Sequence, residues 1–512
     1  VTAPRSFYEV VVVGASLASL AAGALLARRG FRVAVIGQNT RLRTYEYEGL
    51  TLRRDLACVG FLDAPAFRRV MTELALLPAV RRRAQAPEPA WQVVLPRQRL
   101  DLYTDPERRL AELDREFPEV HRPVEDFYAN LTRANASLDK VFGADVAWPP
   151  GGFFERRAAR KAAGDGNFGA DGLKGDVFAE FAADHPFRTF VDAQARFAGA
   201  LDPDRMTPIA RTRLHASGMR GVFLSEGGVD GLRRLLEERI QQHGGDVRLR
   251  DETDRVNLRR GRVESVMLTG TDEVLGCGYL ITSLDAAAAQ RLTGQPASRA
   301  YAIKQLAVRP RYYRYVLNVA VPADAIPVGM AQRVFFVADL ARPLAEENLL
   351  AVECAAPDAQ GRVVITACAL LPRSAVEEGD AYLHRVRGRV MAALGELVPF
   401  LDRHVLVIDS PHDGYPLEDR AKGTTVQLEA RWSGAAEPMD ALDDRGPESF
   451  MGVCGLPVRA DVDNVLLVGR QVVPGLGVEG EFLAALTASA IVTRTDRTKE
   501  RMRRELWSKV EA

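Results

Sequence analysis

The chain has 512 residues, 47% of them hydrophobic, enough for about two domains with a full apolar core. Lys plus Arg and Asp plus Glu each number 68, so no net charge is present to gather nucleic acid or an anionic membrane surface. Five scattered cysteines, odd in number and without a CxxC spacing, indicate neither a disulfide framework nor a zinc site and fit a reducing cytoplasm.

The first predicted element is a strand over Val10–Val13. It runs into Gly14-Ala15-Ser16-Leu17-Ala18-Ser19, an Ala/Leu helix to about Arg29, the stop Gly30 and a strand over Phe31–Ile36. Strand, tight turn, helix and strand form the opening unit of a dinucleotide-binding fold, in which the helix N-terminus faces a diphosphate. Of the three fingerprint glycines only Gly14 remains; the small residues Ser16 and Ser19 stand in the other two places. The second strand should end in an acid that bonds the adenosine ribose. It ends in Gly37-Gln38, and the Gln38 amide can still bond a hydroxyl, with less electrostatic gain. The apolar run Val10–Ala27 is not read as a signal or membrane segment, because Glu9 precedes it and its period changes from strand to helix at Gly14.

Asp63–Leu77 has helical spacing behind an Asp-Ala-Pro start. Residues 80–215 read as mostly helical, with helices over Pro106–Glu116, Pro123–Phe142, Val177–Ala183 and Phe187–Ala200. Gly164–Gly172 reads as a mobile loop, either a plain connector or a lid over a substrate channel. Ser225–His243 is predicted helical, Asp246–Arg250 a strand, Arg255–Leu268 a hairpin about Gly261, and Tyr279–Thr282 a strand ending in Ser283-Leu284-Asp285. Four strand-like runs, Arg311–Val321, Arg333–Leu340, Asn348–Ala355 and Arg362–Leu370, predict an antiparallel sheet, followed by a helix over Ala375–Leu397 and the segment Thr424–Ala430.

Near the C-terminus an apolar strand, Asn464–Val468, meets Gly469 and Arg470. A second glycine-rich turn, Pro474-Gly475-Leu476-Gly477-Val478-Glu479-Gly480, leads into an Ala-rich helix from about Glu481 to Val492. Glycines at this density let the backbone approach a flat or anionic ligand. Arg470 either meets a cofactor's phosphates or ring, or pairs with a carboxylate such as Glu479 or Glu481. The tail Arg494–Ala512 sets Met502, Leu506 and Val510 at helical spacing with Trp507 beside them, as a terminal helix docked on the body or as a contact for a membrane surface or partner.

Other catalytic signatures are absent: the seven histidines form no HExxH or paired metal motif, and no GxSxG elbow occurs. No metal is expected. His412-Asp413-Gly414-Tyr415 is a polar loop cluster, and His412, Tyr415 and Arg470 are the candidates for an active-site wall.

The two nucleotide-type segments at opposite ends of the chain resemble the flavin-containing amine oxidase and phytoene desaturase superfamily, with the closest likeness to bacterial phytoene desaturase-like proteins. Tyr45–Leu50, Leu100–Asp105, Glu226–Leu232 and the runs Gly244–Arg248 and Gly261–Val263 also resemble segments of that family. The resemblance implies an α/β fold, in which a Rossmann-like FAD/NAD(P)-binding domain (residues 1–79, 216–300 and 431–512) carries an inserted mixed α+β substrate domain (80–215 and 301–430). It implies FAD extended between Gly14, Ala15, Ser16, Leu17, Ser19 and Gln38 at one end and Gly469, Arg470, Gly477, Val478 and Gly480 at the other, with the Val256 backbone at the adenine. The sequence departs from the family in lacking a Gly-Gly pair between Asn39 and Glu48, and in reading Gly469-Arg470 where many relatives have Gly-Asp.

Two functions follow from this resemblance. One is an FAD-dependent oxidoreductase, of desaturase, isomerase or saturase type, acting on an apolar polyene or lipid-like small molecule by hydride transfer to flavin. The other is a cofactor-free binding or scaffold protein on the same fold, as the GDP-dissociation inhibitors exemplify. Either is expected in the cytoplasm, with a peripheral membrane or protein contact as a further expectation.

Overall fold

The structure, a computed structural model, describes residues 6–56, 62–163, 168–169, 172–173, 176–220, 224–225, 227–271, 273–294, 298, 309–428, 436–444 and 450–511. Strand β1 (Ser6–Val13) is followed by helix α1 (Leu17–Arg28) and strand β2 (Val33–Ile36). Every residue of α1 from Leu17 to Ala27 is buried, so this helix has no solvent face and lies inside the body, as its unbroken Ala/Leu sequence requires. A hairpin follows, β3 (Thr44–Tyr47) and β4 (Leu50–Arg53), and then helix α2 (Pro65–Glu73).

Strands β5 (Trp91–Val94) and β6 (Arg99–Leu102) precede a run of helices: α3 (Pro106–Glu116), α4 (His121–Gly143), α5 (Phe153–Ala163), α6 (Pro186–Ala198) and α7 (Pro208–Met219). The helix expected over Val177–Ala183 is instead a series of turns, opened by Asp176 Oδ1 accepting from Phe178 N. Seven residues ahead of Pro186 are too few to offset the cost of starting a helix. The expected loop Gly164–Gly172 lies mostly outside the described residues.

Helix α8 (Gly228–Gln242) leads to strands β7 (Asp246–Arg248), β8 (Thr253–Arg259), β9 (Arg262–Leu268) and β10 (Val274–Thr282), and to helix α9 (Ala286–Thr293). The second group of strands is β11 (Arg309–Pro322), β12 (Arg333–Val337), β13 (Leu349–Cys354) and β14 (Arg362–Pro372), then helix α10 (Asp380–Leu397), then β15 (Val407–Asp409), β16 (Leu417–Asp419), β17 (Thr424–Val426) and β18 (Asp440–Asp444). Strand β19 (Val465–Leu467) and helices α11 (Val478–Thr493) and α12 (Arg497–Glu511) close the chain. Met502 of α12 is exposed; the side chains of Leu506, Trp507 and Val510 fall outside the described residues.

The first sheet has seven strands in the order β7-β2-β1-β10-β9-β8, with β19 also paired to β10. β1 and β19 both run parallel to β10, so the two ends of the chain meet in one sheet with β10 between them. Alternate residues of β1 serve opposite faces: Val10 and Val12 pack with α1, α8 and α11, while Val11 and Val13 pack with Val256, Val266 and Leu280. The second sheet has ten strands, β17-β16-β15-β11-β14-β13-β12-β5-β6, with β18 also on β11. One of its faces packs on α10; the other packs on α3, α4, α6 and α7 through an aromatic core that includes Trp91, Phe127, Phe187, Phe190 and Phe335. The β3–β4 hairpin is pinned to this sheet by Tyr45 Oη donating to Asp409, Tyr47 Oη donating to Asp419 (2.8 Å) and Arg53 N donating to Asn318 Oδ1 (3.0 Å). Among the described residues no helix is long and apolar enough to cross a membrane, and no group of three or more His, Cys, Asp or Glu could hold a metal ion.

Candidate dinucleotide site

The C-terminal ends of β1, β10 and β19 converge. Gly14, just past β1, has φ +98°, and a Cβ there would lie under 3.0 Å from Ser283 Oγ; Gly469, just past β19, has φ +97°. Both backbones adopt a conformation open to glycine and disfavoured for L side chains, and Ser283 fills the space between them. β1 thus hands the chain to α1 through a turn that leaves the helix N-terminus at the edge of the sheet.

An α-helix begins with backbone N–H groups that have no partner within the helix. In α1 two of these groups are satisfied by side chains. Ser16, the N-cap, accepts from Ser19 N (3.2 Å) and donates to Ser19 Oγ (3.3 Å). Glu481 Oε2 accepts from Ala18 N (3.2 Å), reaching across from the first turn of α11. Burial pushes the Glu481 carboxyl up from its ordinary range, while the charges of Arg470 and Arg43 and the Ala18 N–H act in the opposite direction.

Those two arginines share one partner. Arg470 Nη2 lies 2.5 Å from Asp440 Oδ1, and Arg43 Nη1 lies 2.8 Å from Asp440 Oδ2 and 3.6 Å from Asp55. Burial alone would raise Asp440, but the two guanidinium groups hold its carboxyl well below the usual carboxylate range. Arg470 therefore does not form its ion pair with Glu479 or Glu481, the partners expected from sequence. Glu479 is already taken by Arg213 of α7, through two bonds of 2.7 Å.

The ribose end is arranged differently from expectation. Gln38 has φ +57°, and its side-chain Oε1 accepts from Thr253 N (2.5 Å), while its own N–H donates to Asp251 O (2.9 Å). The preceding Gly37 lies so close to the 249 backbone that a Cβ would come under 3.0 Å from Leu249 O. Gln38 is thus spent on the β7–β8 connection, and Gly37 admits no side chain. Val256, expected at the adenine through its backbone, sits inside the β8–β9 ladder opposite Val266, with its side chain in the core beneath the sheet.

The C-terminal glycines also serve chain packing. A Cβ on Gly475, Gly477 or Gly480 would come under 3.0 Å from Val453 Cα, Ala198 O or Val473 O respectively. Ala200 N donates to Pro474 O (2.9 Å), so the segment after α6 runs directly over the glycine-rich turn. Val478 is the half-buried first residue of α11, and Ala15 and Leu17 are buried beside the turn at Gly14.

His412 and Tyr415 are separated. His412 is buried, bonds Glu437 O through Nδ1 (3.0 Å), and has its pKa lowered by burial. Tyr415 faces outward against His384, with ring centroids 3.7 Å apart. Asp413, between them in sequence, accepts from Tyr315 Oη (3.0 Å) and pairs with Arg387 (3.1 Å).

The donors beside α1 (its first N–H groups, Arg43 and Arg470) fit a diphosphate, which takes charge-assisted bonds from this kind of set. In this structure the carboxylates of Asp440 and Glu481 accept from it. Arg43 and Asp440 were missed from sequence. Arg43 lies in the segment noticed only for lacking Gly-Gly, and β18, Asp-Ala-Leu-Asp-Asp, carries no apolar alternation to mark a strand.

The family model of an NAD(P)-binding Rossmann-like domain matches residues 12–74. No curated protein sequence gives a match. Among solved structures, the chain is similar to an oxidoreductase from Methanosarcina mazei at 16% identity, TM-score 0.57, over 93% of this chain and 99% of that one. It is similar to wild-type putrescine oxidase bound to putrescine at 14% identity, TM-score 0.56, over 95% and 98%. It is similar to cyclohexylamine oxidase from Brevibacterium oxydans at 13% identity, TM-score 0.56, over 97% and 100%. At these identities the likeness is one of fold, and it extends over nearly the whole of each chain: a Rossmann-like dinucleotide-binding domain with an additional sheet domain, built as in the amine oxidases.

Proposed function

We propose that the protein is an oxidoreductase of the flavin amine-oxidase structural type, taking FAD along β1–α1 and β19–α11 and, like phytoene desaturases, acting on an apolar polyene or lipid-like small molecule. The observation that carries this reading is the meeting of Gly14 and Gly469 on either side of Ser283, with the α1 N-terminus, Arg43 and Arg470 beside them. When bound, the flavin would supply hydride acceptance from a substrate C–H bond. The chain's part would be to bind the diphosphate with Arg43, Arg470 and the Ala18 N–H group, and to exclude water through the aromatic wall between the second sheet and helices α3, α4, α6 and α7. That wall is closely packed, with Trp91 and Phe335 ring centroids 6.1 Å apart, so an apolar substrate requires its two faces to part.

A second reading, a cofactor-free binding or scaffold protein, is favoured by a specific set of contacts. Glu481 on Ala18 N, Gln38 on Thr253 N and Ala200 N on Pro474 O are bonds of the chain to itself at residues the dinucleotide reading assigns to the cofactor or beside them, which supports this second reading. A visible absorption spectrum of the purified protein, before and after incubation with millimolar FAD and gel filtration, separates the two. Retained flavin absorption supports the oxidoreductase. Its absence in both samples supports the binding protein.

A further inference from the structure

We propose that Glu481 is the chain's own occupant of the diphosphate position, an internal competitor that a dinucleotide must displace in order to bind. The inference rests on the dinucleotide reading of the cleft. It starts from geometry: Ala18 N is one of the N–H groups of α1 that no helical carbonyl can satisfy, and the atom that satisfies it is a carboxylate oxygen 3.2 Å away, from a residue 463 positions later in the chain. The neighbouring Ser19 N is held by Ser16. A carboxylate at this point has the same attractions as a phosphate, namely the positive end of the helix and two guanidinium groups.

The surrounding charges make the arrangement self-contained. Arg470 and Arg43 face the cleft from the segment after β19 and from the start of β3, Asp440 from β18, and Glu481 from α11. With Asp55 also 3.6 Å from Arg43, both guanidinium groups already face carboxylates of the chain itself, so an external anion has to compete for them. A diphosphate that enters takes the bonds that Asp440 and Glu481 release. Asp440 is held by two guanidinium groups, whereas the half-buried Glu481 carboxylate is held at α1 through the Ala18 N–H. Displacement of Glu481 is therefore the step that sets how tightly a dinucleotide is held. A charge-assisted hydrogen bond lost in this exchange corresponds to about ten-fold or more in affinity.

The test compares wild-type protein with Glu481→Ala and Glu481→Gln by two measurements. The first is amide hydrogen exchange of the peptide containing Ala18, without nucleotide. The second is titration with FAD and with ADP, which carries the diphosphate without the flavin, followed by calorimetry. Faster exchange at Ala18 in Glu481→Ala is expected, together with FAD and ADP binding about ten-fold tighter or more, and with Glu481→Gln between the two. Unchanged exchange at Ala18 overturns the proposal whatever the nucleotide result. Wild-type protein that binds FAD as tightly as Glu481→Ala overturns the competition while leaving the oxidoreductase reading intact. Faster exchange with neither ligand bound by any form at millimolar concentration overturns both.

Discussion

Arg213 of α7 and Glu479 of α11 form a two-pronged ion pair, Nε and Nη2 each 2.7 Å from a carboxylate oxygen, with both side chains completely buried. Arg213 Nη1 also donates to Asn135 Oδ1 (3.1 Å) and lies 2.8 Å from Asp139, so the guanidinium is satisfied on every side that faces α4. The pair joins the helical layer to the helix that follows the C-terminal glycine-rich turn. It therefore fixes where Gly477 and Gly480 lie. Removing one partner strands a buried charge, and Arg213→Ala should cost about 3–5 kcal/mol in a denaturant melt. Replacing both by apolar residues, Arg213→Met with Glu479→Leu, should recover most of that loss. A single variant as mild as a surface substitution would show that the pair is reached by water.

Arg470 is a different case. Its side chain is 39% exposed, and its partner Asp440 keeps Arg43 at 2.8 Å when Arg470 is lost. Arg470→Ala alone should therefore cost about 1 kcal/mol or less. Adding Arg43→Ala removes both ion-pair partners of Asp440 and leaves it only the more distant charge of Arg314, so the double variant should lose more stability than the two singles together. Strict additivity in thermal melts would mean that the two arginines do not share Asp440.

The nucleotide unit was legible because its signals are local: the four-valine strand ending at Gly14, the helix of alanines and leucines with no polar stripe, the stop at Gly30. What these signals could not convey is what lies across the turn. The glycines Gly475, Gly477 and Gly480 read as room for a ligand, yet their close neighbours are the backbones at Val453, Ala198 and Val473. A missing Cβ admits a second stretch of chain as readily as a cofactor, and the sequence does not distinguish the two. Arg470's true partner was hidden for a related reason, since Asp440 belongs to a short polar strand that only its pairing with β11 defines. Val256 follows the expected hairpin: Arg255 is exposed and Val256 buried, the alternation of a strand with one core face. Helix α7, which brings Arg213 and His215 into the interior, also had a readable start in Thr207-Pro208.

The ribose end gives a pair of contrasting substitutions. Gln38 already spends its side-chain oxygen on Thr253 N, and a glutamate there would accept the same hydrogen bond. Gln38→Glu should leave FAD affinity unchanged in a titration, against the gain that sequence alone suggests. Gly37→Ala, by contrast, drives a methyl group into the Leu249 backbone, where nothing can rotate away. It should destabilise by about 1–3 kcal/mol or more. A gain in flavin affinity from Gln38→Glu would show that this side chain turns out toward a ribose.

The last prediction concerns pH and His215. This residue is fully buried in the aromatic core of α4, α6 and α7, with Nε2 2.9 Å from Tyr128 Oη. Burial, helped by the charge of Arg109, lowers its pKa to about 3. The folded protein thus holds His215 neutral above about pH 3, whereas the unfolded chain protonates it near the ordinary value of about 6.5. The unfolded state binds more protons throughout that window, so stability is fully present above it and falls as the pH drops from about 6.5 toward 3. The loss is a few kcal/mol at most, on the order of 1.4 kcal/mol for each pH unit. His412, buried with its pKa also lowered, contributes with the same sign. Glu481, whose pKa is raised, contributes oppositely: protonation is easier in the folded state, so its term favours folding at low pH. Urea denaturation midpoints measured between pH 7 and pH 4 should fall steadily, and His215→Phe, although less stable at neutral pH, should show a shallower fall. A variant with the wild-type slope would remove His215 from the acid sensitivity of the fold and leave it to the other groups with lowered values, such as His412, His243, Asp440 and Glu500.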